Sequence, residues 1–209
     1  MSKRGLFIAF EGIEGAGKST QVALLSERLR AHGQEPLLVR EPGGTELGEE
    51  ARRLLLHAGD VGPAAELFLF LVARADLVAR VIRPALEAGR IVVADRYELS
   101  TRAYQAGGRG LPEQKVKAAI ALATGGLMPD LYVVLDVPYE TGRSRQAGAG
   151  KSPDRMERSG VEFHRRVADA FRAADGANIA HLRAEQAPAA VGDDVWALVM
   201  QRFGKRFAK

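Results

Sequence analysis

Five short apolar runs punctuate the chain: Leu6–Phe10, Pro36–Arg40, Ile91–Ala94, Leu131–Asp136 and Asn178–Leu182. Their length and their β-branched content predict strands. The stretch LYVVLDV is apolar nearly throughout, as expected of a strand buried on both faces. Between these runs the apolar period lengthens to that of a helix. Val22, Leu25 and Leu29 predict a helix over Ser19–Ala31, which His32-Gly33 ends. The segment AELFLFLVARADLVARVIRPAL predicts a long helix ending near Pro84. Its apolar content exceeds one face, so it is expected to meet a substrate pocket or a second subunit as well as the core. Arg74, Asp76 and Arg80 interrupt it and argue against a membrane span. Strands alternating with helices predict a single α/β domain over residues 1–209, with a five-stranded parallel sheet and helices on both faces.

Composition narrows this little. Among 209 residues, 46% are hydrophobic and 27% charged, an ordinary balance for a globular chain. There are no cysteines, so a disulfide framework and thiolate metal sites are excluded, and a reducing, cytoplasmic setting is expected. The start, MSKRGLFIAF, is too short for a signal-peptide core. The net charge of +4 comes without a long basic run or an aromatic-basic platform. Small polyanionic substrates are therefore expected, rather than nucleic acid or a membrane.

The most specific chemistry lies in FEGIEGAGKST, residues 10–20. Gly12, Gly15 and Gly17 let backbone N–H groups converge on phosphate oxygens, and the loop opens a helix whose N-terminus favours anions. Gly12, Ile13, Glu14, Gly15, Ala16, Gly17, Lys18, Ser19 and Thr20 are the candidate ATP contacts. Lys18 can bridge the β- and γ-phosphates, and Ser19 can offer its hydroxyl to Mg²⁺.

IVVADRY places Asp95 at the carboxyl end of a strand, where ligands of open α/β sheets sit. Asp95 is a candidate Mg²⁺ partner, directly or through water. Arg96 follows it, where an ATPase would more often carry a carboxylate. LLVREPGGT puts Arg40 at the end of another strand, before a sharp turn. Arg40 and Arg96 together can clamp an acceptor phosphate. A structural Asp–Arg pair and two unconnected surface arginines are the plainer alternatives.

At this point the sequence resembles the thymidylate kinases. The matching pieces are FEGIEGAGKST, REPGGTELGEE, LFLFLVAR, ADRYELSTRAYQAGGRG and PDLYVVLDV, collinear over most of the chain. The resemblance implies a P-loop nucleoside monophosphate kinase fold and phosphorylation of dTMP to dTDP with ATP and Mg²⁺, toward dTTP. It also implies a homodimer, whose interface is expected around Leu67–Ile82. Phe70 would stack on thymine, and Arg74, one helical turn later, would bond the O4 edge. Ser100, Thr101 and Gln105 belong to the dTMP site by the same resemblance. Tyr104 would lie against the deoxyribose, Glu14 near the 3′-hydroxyl, and Arg40 and Arg96 on the dTMP phosphate. Read without the resemblance, Phe70 is a core residue and Arg74 a helix-surface ion pair.

Some members of the family place a cation in the phosphate loop; others carry glycine there and supply arginines from a mobile lid. Gly15 puts this chain with the second kind. The lid is expected over about 143–158, around QAGAGKSP, with Arg143, Arg145, Lys151, Arg155 and Arg158. Arg155, in PDRMER, matches the catalytic lid arginine, and Arg145 is expected over the adenine. Catalysis is thus assigned to Lys18, Asp95, Arg96 and Arg155, and metal binding to Ser19 and Asp95. A kinase for another monophosphate is the near alternative. A GTPase would need an Asn-Lys-x-Asp segment, which does not occur, and a nucleic-acid-stimulated ATPase would need no acceptor site.

Overall fold

The structure is a computed structural model and describes residues 4–148 and 154–207. Five parallel strands form one sheet in the order β2-β3-β1-β4-β5. They are β1 (Leu6–Glu11), β2 (Leu37–Arg40), β3 (Ile91–Asp95), β4 (Leu131–Asp136) and β5 (Ile179–Arg183). Each coincides with a predicted run to within one residue at either end. The match is this close because central parallel strands are buried on both sides and so read as unbroken apolar text. All six residues of β1 are buried. The register pairs Phe10 with Asp95 on one side and with Val133 on the other, which brings the strand ends level along one edge.

The helices are α1 (Lys18–Ala31), α2 (Glu46–His57), α3 (Pro63–Leu77), α4 (Arg83–Glu87), α5 (Glu98–Thr101), α6 (Glu113–Thr124), α7 (Tyr139–Ala147), α8 (Val161–Arg172) and α9 (Pro188–Phe203). The main core joins β1, β3 and β4 to apolar positions of α1, α4, α8 and α9. Leu67 and Leu71 of α3 form a smaller cluster with Val116 and Ile120 of α6.

Two boundaries differ from expectation. The long helix does not stop near Pro84. After α3, residues 78–82 form a widened turn in which the Arg83 N–H reaches back five residues to the Val78 carbonyl. Pro84 then falls in the first turn of α4, where a missing N–H costs least. In the lid region, α7 carries helical structure as far as Ala147, so the expected loop starts later. Lys151 and most of QAGAGKSP lie outside the described residues.

Candidate active site

Along the carboxyl edge of the sheet, the chain leaves β1 at Gly12, β2 at Glu41 and β3 at Arg96. A cleft of about 820 Å³ opens there. In sheets of this order, ligands bind where the chain reverses its direction of travel across the sheet, here beside β1. One end of the cleft is lined by residues 14–21 and the other by Arg40, Arg52, Phe70, Arg74, Ser100, Thr101, Tyr104 and Gln105.

The phosphate loop wraps the N-terminus of α1. Gly17 has φ 92° and faces open space, so its backbone can approach a phosphate without obstruction. Gly15, with φ 73°, has a second reason to be glycine. A Cβ there would lie 2.1 Å from the carbonyl oxygen of Gly142 in α7. The loop is thus pressed onto the helix that leads into the lid, and no basic side chain fits at this position. The Lys18 ammonium donates to the carbonyls of Ile13 (2.7 Å) and Gly12 (3.1 Å). Burial, with Arg96 nearby, lowers its pKa to about 8, against the pull of Asp95, Glu14 and Glu11.

Ser19 Oγ donates to Asp95 Oδ2 at 2.5 Å. A hydroxyl and a carboxylate oxygen at one point form a hard-oxygen pair suited to Mg²⁺. Among the described residues, no three His, Cys, Asp or Glu side chains gather to hold a metal by themselves. The pair therefore suits an ion that also takes phosphate oxygens and water.

Arg96 stands between the two ends of the cleft. Its Nη1 donates to the Gly12 carbonyl (3.1 Å) and to Ser100 Oγ (2.9 Å), and its Nη2 to Glu14 Oε1 (3.3 Å). Burial opposes its charge, but Tyr104, Glu14, Asp95 and Glu11 around it raise its pKa. Glu14 is held below the usual carboxylate range despite burial, because Arg96 and Lys18 flank it. The Tyr104 ring lies under the Arg96 guanidinium, 5.4 Å from its carbon. Gln105 Oε1 is buried without a hydrogen-bond partner, and the buried Tyr104 hydroxyl faces the Glu14 and Arg96 side chains without a well-aligned bond to either. Buried polar atoms of this kind mark places where a ligand can complete the bonding.

Phe70 is half-buried on the cleft wall rather than in the core. Arg74 is almost fully buried, so it is not an ion pair at the helix surface. It grips Glu41 through Nε (2.8 Å to Oε2) and Nη2, and donates to Thr101 Oγ1 (2.8 Å) and the Tyr97 carbonyl (2.9 Å). It therefore borders the cleft as part of a locked buried network, with Glu41 neutralising it.

Arg40 lines the cleft but turns its guanidinium onto Glu49, with both contacts at 2.9 Å, and onto the Pro42 carbonyl. Arg52, one turn further along α2 from Glu49, donates to the same Pro42 carbonyl at 3.0 Å. Burial and Arg40 lower the Arg52 pKa, against Glu49 and Asp154. Sequence reasoning missed Arg52. The only signal was its place twelve residues after Arg40 on the helix that REPGGT begins.

Arg155 departs from its expected place. It does not border the cleft. Its Nη1 sits 2.8 Å from the fully buried Glu66 of α3, and its Nε donates to the Leu55 carbonyl at 2.8 Å. Glu66 also receives both Arg109 Nε and Nη2 (3.0 Å each) and Gln105 Nε2 (2.9 Å). A buried carboxylate draws a guanidinium more strongly than an open cleft does, so Arg155 ties residues 154–158 to α2 and α3. Arg145 lies at the opposite end, where its Nη1 donates to the Ala184 carbonyl (2.9 Å) and reaches the Gly15 carbonyl (3.5 Å). Gln186, Pro188 and Val191 line the same end; no motif in the sequence announces them.

Residues 10–195 match the family described as "Thymidylate kinase". A "Thymidylate kinase" of Synechococcus sp. is 48% identical over 200 residues, covering 94% of this chain and 95% of that protein. One of Thermomicrobium roseum is 48% identical, with 93% and 94% covered. One of Pseudomonas putida is 46% identical, with 93% and 95% covered.

Proposed function

The chain belongs to the thymidylate kinase family and is a kinase that phosphorylates dTMP, and we propose how its cleft carries out the transfer. The observation that carries this reading is one continuous cleft. The phosphate loop lies at one end, Phe70, Ser100, Thr101, Tyr104 and Gln105 at the other, and Arg96 spans both.

ATP, the phosphoryl donor, lays its phosphates on the loop amides and the N-terminus of α1, with Lys18 along the β- and γ-oxygens. Arg145, Gln186 and Val191 border its adenine end. Ser19 and Asp95 would hold Mg²⁺, directly or through water, and the ion would supply positive charge against the triphosphate. The dTMP phosphate lies among Arg40, Arg52 and Arg96. Thymine stacks on Phe70 with Arg74 and Thr101 at its polar edge, Ser100 and Gln105 complete that wall, and Tyr104 and Glu14 face the sugar.

An oxygen of the dTMP phosphate then attacks the γ-phosphorus in line. The bond to the β-bridging oxygen breaks, ADP departs, and no covalent enzyme intermediate forms. Lys18 and Arg96 are the cations poised at the shared oxygens, where charge spreads in the transition state. With Arg155 bound to Glu66, these two carry the role first expected of the lid. A coupled assay over dTMP, dUMP, AMP and CMP tests the acceptor assignment. dTMP is expected to give the highest kcat/KM, and a better turnover of any other acceptor refutes it.

The protein is also proposed to be a homodimer. Phe68 and Val72 of α3 and Leu122 of α6 are exposed, on two helices that pack together. An apolar face of this kind fits burial against a second copy. Sedimentation at micromolar concentration is expected to show a dimer, and a monomer there removes this assignment. No helix among the described residues is long and apolar enough to cross a membrane. The substrates, ATP and dTMP, fit a cytoplasmic enzyme.

A further inference from the structure

Arg96 has φ 76°, and no other described non-glycine residue has a positive φ. Such a conformation costs an ordinary side chain on the order of 1–2 kcal/mol and persists only where the surroundings over-determine it. One side of the turn is fixed by the sheet, because the Arg96 N–H donates to the Phe10 carbonyl at 2.9 Å. The other side is fixed by a side chain. Glu11 ends β1, is wholly buried, and directs its carboxylate under the turn. Its Oε1 accepts from the Tyr97 N–H (2.9 Å) and the Ser100 N–H (3.2 Å), and its Oε2 from Ser100 Oγ (2.6 Å).

The Ser100 hydroxyl has one proton, and it points at Glu11. Its lone pairs therefore face Arg96 Nη1, which donates to it at 2.9 Å. Arginine, hydroxyl and carboxylate form a one-way chain in which each bond polarises the next. We propose that Glu11 is the positioning residue for Arg96: it catches the amide that the left-handed turn presents, and through Ser100 Oγ it aims the guanidinium at the phosphate-transfer point. Glu11 itself does not line the cleft and reaches it through Ser100, which does. It lies one residue before the phosphate loop, so the strand that carries the ATP site also sets the cation that faces the acceptor.

This inference rests on the role of Arg96 in transfer, and the test separates the two. Glu11→Gln keeps an oxygen for the Tyr97 and Ser100 amides but places an NH₂ against Ser100 Oγ. The hydroxyl must then accept rather than donate, and the chain is broken while the backbone hook remains. Steady-state kinetics of the full chain are expected to show kcat/KM for dTMP falling about tenfold, the loss of roughly one hydrogen bond's worth of transition-state binding. KM for ATP stays within about twofold, because the loop contacts do not change. Ser100→Ala is expected to match it, and the double variant to be little worse than either single one, since both cut one chain. Arg96→Ala is the reference. If it loses turnover while Glu11→Gln keeps the parent kcat/KM, the positioning role is wrong and the function of Arg96 stands. If Arg96→Ala retains turnover, the transfer role of Arg96 is itself wrong. Equal losses for both substrates, or single-variant losses that multiply, reduce Glu11 to a structural residue and overturn the proposal. If Glu11→Gln does not fold, Ser100→Ala alone decides: parent kinetics there refute the chain.

Discussion

Removing the Arg155 side chain separates an anchor from a catalyst. Two bonds to oxygen are lost in Arg155→Ala, one charge-assisted contact to Glu66 at 2.8 Å and one to the Leu55 carbonyl at 2.8 Å, together with a weak one to Met156 Sδ at 3.5 Å. Glu66 keeps Arg109 and Gln105, so its charge remains compensated, and the cost is well below that of stripping a buried carboxylate. Two such bonds correspond to about 1–3 kcal/mol. In a domain of this size that lowers Tm by roughly 2–12 °C. Glu66→Ala is more damaging, at about 3–5 kcal/mol, because two guanidiniums lose their shared partner. Because both residues belong to one network, the double variant is expected to be less destabilised than the sum of the singles. Calorimetry supplies the Tm values, and a coupled assay supplies kcat. An anchor predicts the Tm losses in this order, with kcat for Arg155→Ala reduced by no more than about tenfold. An unchanged Tm with kcat reduced by about a thousandfold, the loss seen when a transition-state donor is removed, refutes the anchor reading.

Other consequences follow from the same geometry. With its pKa lowered to about 8, Lys18 loses its proton in the free enzyme as pH rises through that value. Affinity for ATP is therefore expected to fall above about pH 8, and binding near that pH to take up a proton; calorimetry in buffers of different ionisation enthalpy measures the uptake, and none at pH 8–9 contradicts the assignment. Gly15→Ala pushes a Cβ into the Gly142 carbonyl at φ 73° and is expected to cost at least about 1 kcal/mol and to raise KM for ATP; an unchanged Tm and KM refute the contact. Arg52→Ala is expected to raise KM for dTMP about tenfold with KM for ATP within about twofold, read by steady-state kinetics; equal effects on both substrates contradict its place beside the acceptor phosphate.

What was legible in the sequence was what short-range pattern encodes. Buried parallel strands are apolar runs, so all five were placed nearly to the residue. The phosphate loop is local, with its glycines, Lys18 and Ser19 within a few positions, and Asp95 and Arg96 were marked by a strand end. What escaped depends on contacts between distant segments. Arg155 follows a motif position, but its partner is Glu66, about ninety residues earlier on α3. Gly15 looked like a missing cation, and packing against Gly142 shows why glycine is needed there. Glu11, between the predicted strand Leu6–Phe10 and the glycines of the loop, has no local signal; its role shows only in the left-handed turn at Arg96 and the amides beneath it. Pro84 looked like a helix end, and the widened turn before it carries the helix past.

The central claim is that Arg96 joins the two halves of the cleft and stabilises the phosphoryl group in transfer. Steady-state kinetics of Arg96→Ala with dTMP and ATP test it most directly. The geometry predicts a kcat about a hundred to a thousand times below that of the parent, with ATP binding within about threefold. A kcat within about threefold of the parent contradicts it.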